Sequence, residues 1–312
     1  MKHFSSIDQI LDLTQWTKEA LELKANPFAY KALGKNKTIG LLFFNSSLRT
    51  RLSTQKAALN LGMDTLVMNV SEDAWGIEFE DGTIMNGTTA EHIKEAAAVI
   101  SQYCDIIGIR AFPKLVDKSK DESEHILTAF KKYASVPIVN LESSTEHPLQ
   151  ALTDAITITE FTTKKNPKVV LSWAPHPKKL PHAVANSFVK AMQKLDVEFV
   201  ITNPEGYDLN PEITTETPII HNQEEALTDA DFVYTKNWCS YENYGELSDV
   251  EEDWIVTKEK IKNAHFMHCL PVRRNVVVED DVLDSKQSLA IEQSNNRTFA
   301  AQLVLKKLLE HV

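Results

Sequence analysis

The strongest constraint on this chain is a repeated alternation of short apolar runs with helical patterns. In the first half the runs are "TIGLLFF", "DTLVMNV", "DIIGIRAF" and "VPIVNLES"; in the second they are "KVVLSWA", "VEFVITNP", "DFVYTKNW" and "HFMHCLP". None alternates strictly between apolar and polar residues, which suits strands buried on both faces of a parallel sheet. Helical stretches fall between them, in the first half at about residues 50–62, 91–104 and 123–134. In the second of these, Ile93, Ala96, Ala97 and Ile100 share one face at helical spacing. A length of 312 residues exceeds one ordinary core. The pattern therefore reads as α/β class, with two α/β domains built on central, mainly parallel sheets. The expected division is 1–147 and 148–295, with Pro148 opening a helix that bridges the halves. A last helix, at about 297–311 within the segment 296–312, is expected to pack back on the first domain.

Ligands of open parallel sheets sit beyond the carboxyl ends of the strands. Polar residues just after strands are therefore the site candidates. The stretch "FFNSSLRTRLST", residues 43–54, ends a strand and starts a helix with a run of hydroxyls and cations. A helix N-terminus has unpaired N–H groups and partial positive charge, so it attracts anions. The serines are expected to cap the helix, while Arg49 and Thr50 add donors. Arg49 and Arg51 lie two apart and cannot face the same way, so Arg51 is expected to pack elsewhere. A formal net charge of −11 argues against broad nucleic-acid or anionic-membrane binding. Any anion site is then a local concentration of positive charge. No glycine-rich nucleotide fingerprint occurs, and glycine is scarce at 9 residues, which weakens a nicotinamide-binding reading. Cys104, Cys239 and Cys269 form neither a disulfide framework nor a metal-ligand cluster, which fits a reducing cytoplasm. No signal peptide or membrane-spanning run is legible.

Three motifs in order resemble the aspartate/ornithine carbamoyltransferase family along nearly the whole chain. "SSLRTR" resembles its S-x-R-T-R carbamoyl phosphate motif, "EHPLQALTD" its H-P-x-Q segment, and "HCLPVRR" its H-C-L-P segment. The resemblance implies that Ser47, the Leu48 backbone, Arg49 and Thr50 hold the phosphate. It implies that Arg110 reaches phosphate and carbamoyl oxygen, that His147 and Gln150 contact the carbamoyl group, and that Arg297 closes over the phosphate. Arg49, Thr50, Arg110 and His147 then stabilise charge on the carbamoyl oxygen and the leaving phosphate. Cys269 and the Leu270 carbonyl are placed near the attacking amine. His268 beside Cys269 invites a covalent reading, which the family does not support. Trp75 sits in a loop that family members lend to a neighbouring subunit, which implies a homotrimer with shared active sites. No cofactor or metal is implied.

The second half departs from ordinary ornithine carbamoyltransferases. Their aspartate that grips the free α-ammonium is replaced by Lys236 in "YTKNWCSYENYGE", and their Ser-Met-Gly is absent. A lysine repels an ammonium and attracts a carboxylate. An acceptor with an acylated α-amine reconciles this, and "WAPHP", "YTKNW" and "MHCLPVRRN" resemble the N-acylornithine branch. That match implies that Glu142, His176, Lys236 and Arg273 bind the acylornithine, with Phe112 lining its pocket. Ala90 stands where acetyl-using relatives have glutamate and succinyl-using ones proline, and Val277 replaces a lysine of some acetyl-type members. Both lean toward N-succinylornithine over N-acetylornithine. Glu91 is expected at a helix start; turned into the pocket, it reverses that preference. The competing readings are an ornithine or aspartate carbamoyltransferase, and an inactive relative that only binds carbamoyl phosphate.

Overall fold

A computed structural model describes residues 1–246 and 252–310. In chain order its strands are β1 (Thr38–Phe43), β2 (Asp64–Asn69), β3 (Gly76–Glu78), β4 (Thr89–His92), β5 (Ile106–Arg110) and β6 (Ile138–Glu142). The second half adds β7 (Lys168–Trp173), β8 (Glu198–Thr202), β9 (Ile219–Ile220), β10 (Phe232–Lys236) and β11 (His265–Met267). Each expected apolar run forms a strand. They assemble into a four-stranded sheet, β2-β1-β5-β6, and a five-stranded sheet, β11-β10-β7-β8-β9. Every pairing is parallel. β5 and β6 are buried along their whole length, as unbroken apolar runs require, while edge strand β2 alternates toward solvent.

Each sheet reverses direction once. From β1 the chain moves outward to β2, then returns to place β5 on the other side of β1. Likewise β7 leads to β8 and β9 before β10 docks on the opposite side of β7. The reversal leaves a crevice at the carboxyl ends of the two central strands. Phe43 pairs with Arg110 at one such end, and Trp173 with Lys236 at the other.

The helix Pro148–Phe161 has proline in its first turn and is buried over most of its length. The final helix, Ala290–Leu309, begins earlier than expected and packs against the helices Leu13–Ala25, Arg49–Leu61 and Pro148–Phe161. Residues 311 and 312 of the expected segment lie outside the described residues. Leu303, Val304, Leu305 and Leu308 are at most 1% exposed. Each contributes about 1.5–3 kcal/mol of burial, which ties this helix to the first sheet's helices. The apolar core is continuous from Phe4 through the bridging helix to Leu171 and Tyr234.

One local expectation fails. The helix placed at 91–104 starts only at Ile93, because Glu91 belongs to β4, which pairs with β3. The stretch 123–134 holds the single helix His125–Tyr133, and a separate short helix, Lys118–Glu122, precedes it across a kink at Glu124, at φ 51°. That kink turns the Glu124 carboxylate onto the loop before His147, where it accepts from Ser143 Oγ, Thr145 Oγ1 and the N–H groups of Ser144 and Thr145.

Candidate active site

Both crevices open into one cavity of about 620 Å³. Its first wall is the start of the helix Arg49–Leu61. Leu48, not a serine, occupies the N-cap and supplies no side-chain acceptor. Ser47 Oγ instead takes the Thr50 N–H at 3.3 Å. The expected serine cap is therefore weak, leaving backbone donors at this helix end. Arg49 lines the cavity half-buried, with no hydrogen-bond or ion-pair partner among the described residues, while Arg51 does not line it.

Arg110 is more tightly held. A register irregularity between Ile109 and Arg110 sets it directly opposite Glu142. Its Nε and Nη2 donate to Glu142 Oε2 at 3.2 and 3.0 Å, and its Nη1 donates to the carbonyls of Asn45 and Ser46. Phe112 stacks on the guanidinium at 4.1 Å, and its own N–H reaches Asn45 Oδ1. These bonds occupy four of the five guanidinium N–H groups. Glu142, expected to bind the acylornithine, lines the cavity and is also the buried counter-ion of Arg110.

Behind this wall lies a layer of buried polar groups. His147 is 2% exposed and its Nε2 is 3.5 Å from Glu142 Oε2. Burial, reinforced by Arg297, Arg110 and Lys236, holds its pKa well below the ordinary value, so the ring is neutral. A neutral imidazole keeps one N–H to donate. Arg297 donates from Nη1 to Gln150 Oε1 and from Nη2 to Thr50 Oγ1 at 2.6 Å. Gln150 does not line the cavity; it stands behind Arg297.

The opposite wall comes from the second sheet. Lys236, at the end of β10, lines the cavity and has no hydrogen-bond or ion-pair partner among the described residues. His176 follows β7, with Nδ1 2.8 Å from the Lys178 carbonyl and Nε2 accepting from Arg273 Nε at 3.2 Å. Nδ1 also lies 3.1 Å from the Lys178 N–H, so only the role of Nε2, acceptor to the obligate donor Arg273 Nε, is fixed. Burial also lowers the His176 pKa, aided by Lys236 and Arg273. Leu270 adopts φ 53°, and its N–H is taken by His268 Nδ1 at 2.8 Å. Burial pushes the Cys269 thiol up, so it is not a ready nucleophile. Val277 is buried in the second domain's apolar cluster, so its side chain makes no contact with the cavity.

Arg49, Arg110, Lys236, Arg273 and Arg297 line this cavity against Glu142 alone among the described acidic residues. On a chain of net charge −11, this is the local cationic concentration expected of an anion site. Trp75 and Ala90 are not brought to it. Trp75 is 61% exposed and donates from Nε1 to Glu91 Oε2 at 2.7 Å. Glu91 therefore faces Trp75 rather than this cavity. Sequence reasoning missed the apolar wall of Leu180, Pro181 and Val184, whose residue types read as ordinary core. It also passed over Asn45, although that residue ends the first apolar run.

Two parallel sheets that aim their switch points into one cationic cleft define an α/β protein built to bind a small anion between its two halves. Residues 2–160 match the family model "Aspartate/ornithine carbamoyltransferase, carbamoyl-P binding domain", and 181–308 match its "Asp/Orn binding domain". The chain belongs to the aspartate/ornithine carbamoyltransferase family. It is 47% identical to N-succinylornithine carbamoyltransferase of Bacteroides thetaiotaomicron, over 99% of both chains. Identity to N-acetylornithine carbamoyltransferase of Xanthomonas campestris is 37%, over 97% of this chain and 98% of that one. Among solved structures it resembles an N-acetyl-L-ornithine transcarbamylase in which a glutamate is replaced by alanine, complexed with carbamyl phosphate and N-succinyl-L-norvaline. The TM-score is 0.92 at 36% identity, covering 99% of this chain and 100% of that chain.

Proposed function

We propose that this protein transfers the carbamoyl group of carbamoyl phosphate to the side-chain amine of N-succinyl-L-ornithine, giving N-succinyl-L-citrulline and phosphate. The observation that carries the reading is the unpartnered Lys236 facing the Arg49–Arg110 wall across one cavity. Ser47, the Leu48 N–H, Arg49, Thr50 and Arg297 hold the phosphate, and the remaining Arg110 N–H and His147 serve the carbamoyl oxygen. The neutral amine attacks the carbamoyl carbon, a C–N bond forms, and the C–O bond to phosphate breaks. The proton lost by nitrogen balances the departing phosphate. Charge builds on oxygens surrounded by fixed donors, where such donors act most strongly. The cationic wall favours the neutral form of the incoming amine.

Lys236 decides the acceptor. Two like charges about 4 Å apart cost about 4 kcal/mol at an effective dielectric near 20. That penalty exceeds the roughly 1–3 kcal/mol that one methylene contributes to selectivity. A free α-ammonium is rejected, whereas the carboxylates of an acylated ornithine are welcome to Lys236 and Arg273, the latter held in place by His176. Preference for succinyl over acetyl rests on the small, uncharged Ala90 and on similarity to succinyl-using relatives. Replacement of a glutamate by alanine, valine or serine in an acetylornithine enzyme accompanies a succinyl ligand in its crystals, which supports the same reading.

In this proposal the chain acts in the cytoplasm as a homotrimer. The loop carrying Trp75 and Ala90 is lent to a neighbour's cavity, which accounts for their distance from their own. The carbamoyl phosphate domain ends at 147, the acylornithine domain spans 148–295, and Cys269 and Leu270 flank the attacking nitrogen. Steady-state rates with N-succinylornithine, N-acetylornithine and ornithine test the acceptor. Faster turnover of the acetyl compound overturns the succinyl assignment, and faster turnover of ornithine overturns the role of Lys236. Mixed trimers of a Trp75→Ala and an Arg49→Met chain are expected to regain activity that neither parent has.

A further inference from the structure

Asp154 lies one helical turn beyond Gln150 on the Pro148–Phe161 helix, is fully buried, and does not line the active-site cavity. Its Oδ1 accepts two side-chain amides at once, from Gln150 Nε2 at 2.7 Å and from Gln293 Nε2 at 2.6 Å. Those residues come from different helices. Because both amide nitrogens point at one oxygen, both amide oxygens must point away from it. The Gln150 oxygen then accepts from Arg297, which in turn donates to Thr50. The Gln293 oxygen accepts from the backbone N–H of His268 at 2.9 Å, and His268 Nδ1 holds the Leu270 N–H. One carboxylate thus joins two relays, each ending in a wall of the cavity.

We propose that Asp154 is a positioning residue which, by fixing the amide orientations of Gln150 and Gln293, sets the carbamoyl phosphate wall at Arg297–Thr50 and the amine wall at His268–Leu270 in a single register. This rests on the proposed reaction, because register matters only if donor carbon and acceptor nitrogen meet between those walls. An amide is ambivalent: flipped, Gln150 presents an N–H to a guanidinium, and Gln293 presents one to a backbone N–H. Both flips set donor against donor, and a buried donor without an acceptor is costly. Asp154 excludes both flips because its Oδ1 accepts from both amides and stays an acceptor even when burial, which raises the carboxyl pKa to about 7, leaves a proton on Oδ2. The Tyr234 hydroxyl adjoins the Asp154 carboxyl and can accept as well as donate, so an asparagine that turns its amide nitrogen away from the two glutamines keeps the acceptor oxygen and the register.

The test compares Asp154→Asn, Asp154→Leu and Gln293→Leu in the full-length chain, with carbamoyl phosphate and N-succinylornithine. Asp154→Asn is expected to turn over within about threefold of the parent. Asp154→Leu is expected to lose about 10²-fold in kcat, the loss associated with a misplacement of about 1 Å between reacting groups. Gln293→Leu, which cuts only the second relay, is expected to lower kcat while leaving the KM for carbamoyl phosphate unchanged. Asp154→Asn as inactive as Asp154→Leu, or Asp154→Leu as active as the parent, overturns the proposal. So does a rise in the carbamoyl phosphate KM in Gln293→Leu to match Asp154→Leu. Should Asp154→Leu fail to fold, the asparagine and Gln293 variants still decide. A parent that carbamoylates none of the ornithines refutes the reaction itself, a separate outcome from any ranking of variants.

Discussion

Arg49 and Arg110 face the same cavity, but the structure separates their contributions to binding and to folding. Arg110 is 7% exposed and Glu142 6%, and the pair shares two hydrogen bonds. Arg110→Met leaves Glu142 as a buried, unpaired charge, which costs about 3–5 kcal/mol. The carbonyls of Asn45 and Ser46 also lose their donor. In a unit of 150–250 residues, each kcal/mol moves Tm by about 2–4 °C, so the fall is on the order of 10 °C. Arg49→Met breaks no ion pair or hydrogen bond among the described residues, and its Tm is expected to stay within a few degrees. Both variants remove a donor to developing charge and are expected to lose about 10²–10³ in kcat. Phosphate release with N-succinylornithine and scanning calorimetry on the same preparations measure the two effects. Equal Tm losses in the two variants, or an active Arg49→Met enzyme, would refute the reasoning.

Lys236→Asp is expected to raise kcat/KM for ornithine and depress it for N-succinylornithine; an unchanged acceptor ratio means that the lysine does not face the acceptor. Cys269→Ala is expected to retain turnover within about 10²-fold of the parent, since loss of a true nucleophile costs far more. A carbamoyl adduct on the protein in intact mass spectra would sink that expectation. Burial, Lys236 and Arg49 hold the His268 pKa well below 6.5. The unfolded chain therefore gains a proton below about pH 6.5 that the folded chain resists, and stability is lost as pH falls through that range. His268→Asn is expected to flatten this acid limb by about 1.4 kcal/mol per pH unit, read from urea midpoints at pH 7.5 and 5.5. An unchanged limb refutes a neutral, buried His268.

Among the described residues, no helix is long and apolar enough to cross a membrane. The strands and the residues at their carboxyl ends were legible in the chain because both signals are local. An apolar run without alternation reports burial on two faces, and a polar cluster directly after it reports a crevice in a parallel sheet. "SSLRTR", Arg110, His147, Lys236 and "HCLP" could all be singled out in this way. Their partners could not. Glu142 as the Arg110 counter-ion depends on a register irregularity between two strands. Gln293 meets Asp154 across 139 residues of sequence. Glu91 looked like a helix-starting acid because acids favour helix N-termini, yet pairing with β3 drew it into a strand and onto Trp75. Residue type and spacing decide what a side chain can donate or accept. Only the packed structure decides which partner it meets, because hydrogen bonds between distant segments form after the elements have docked.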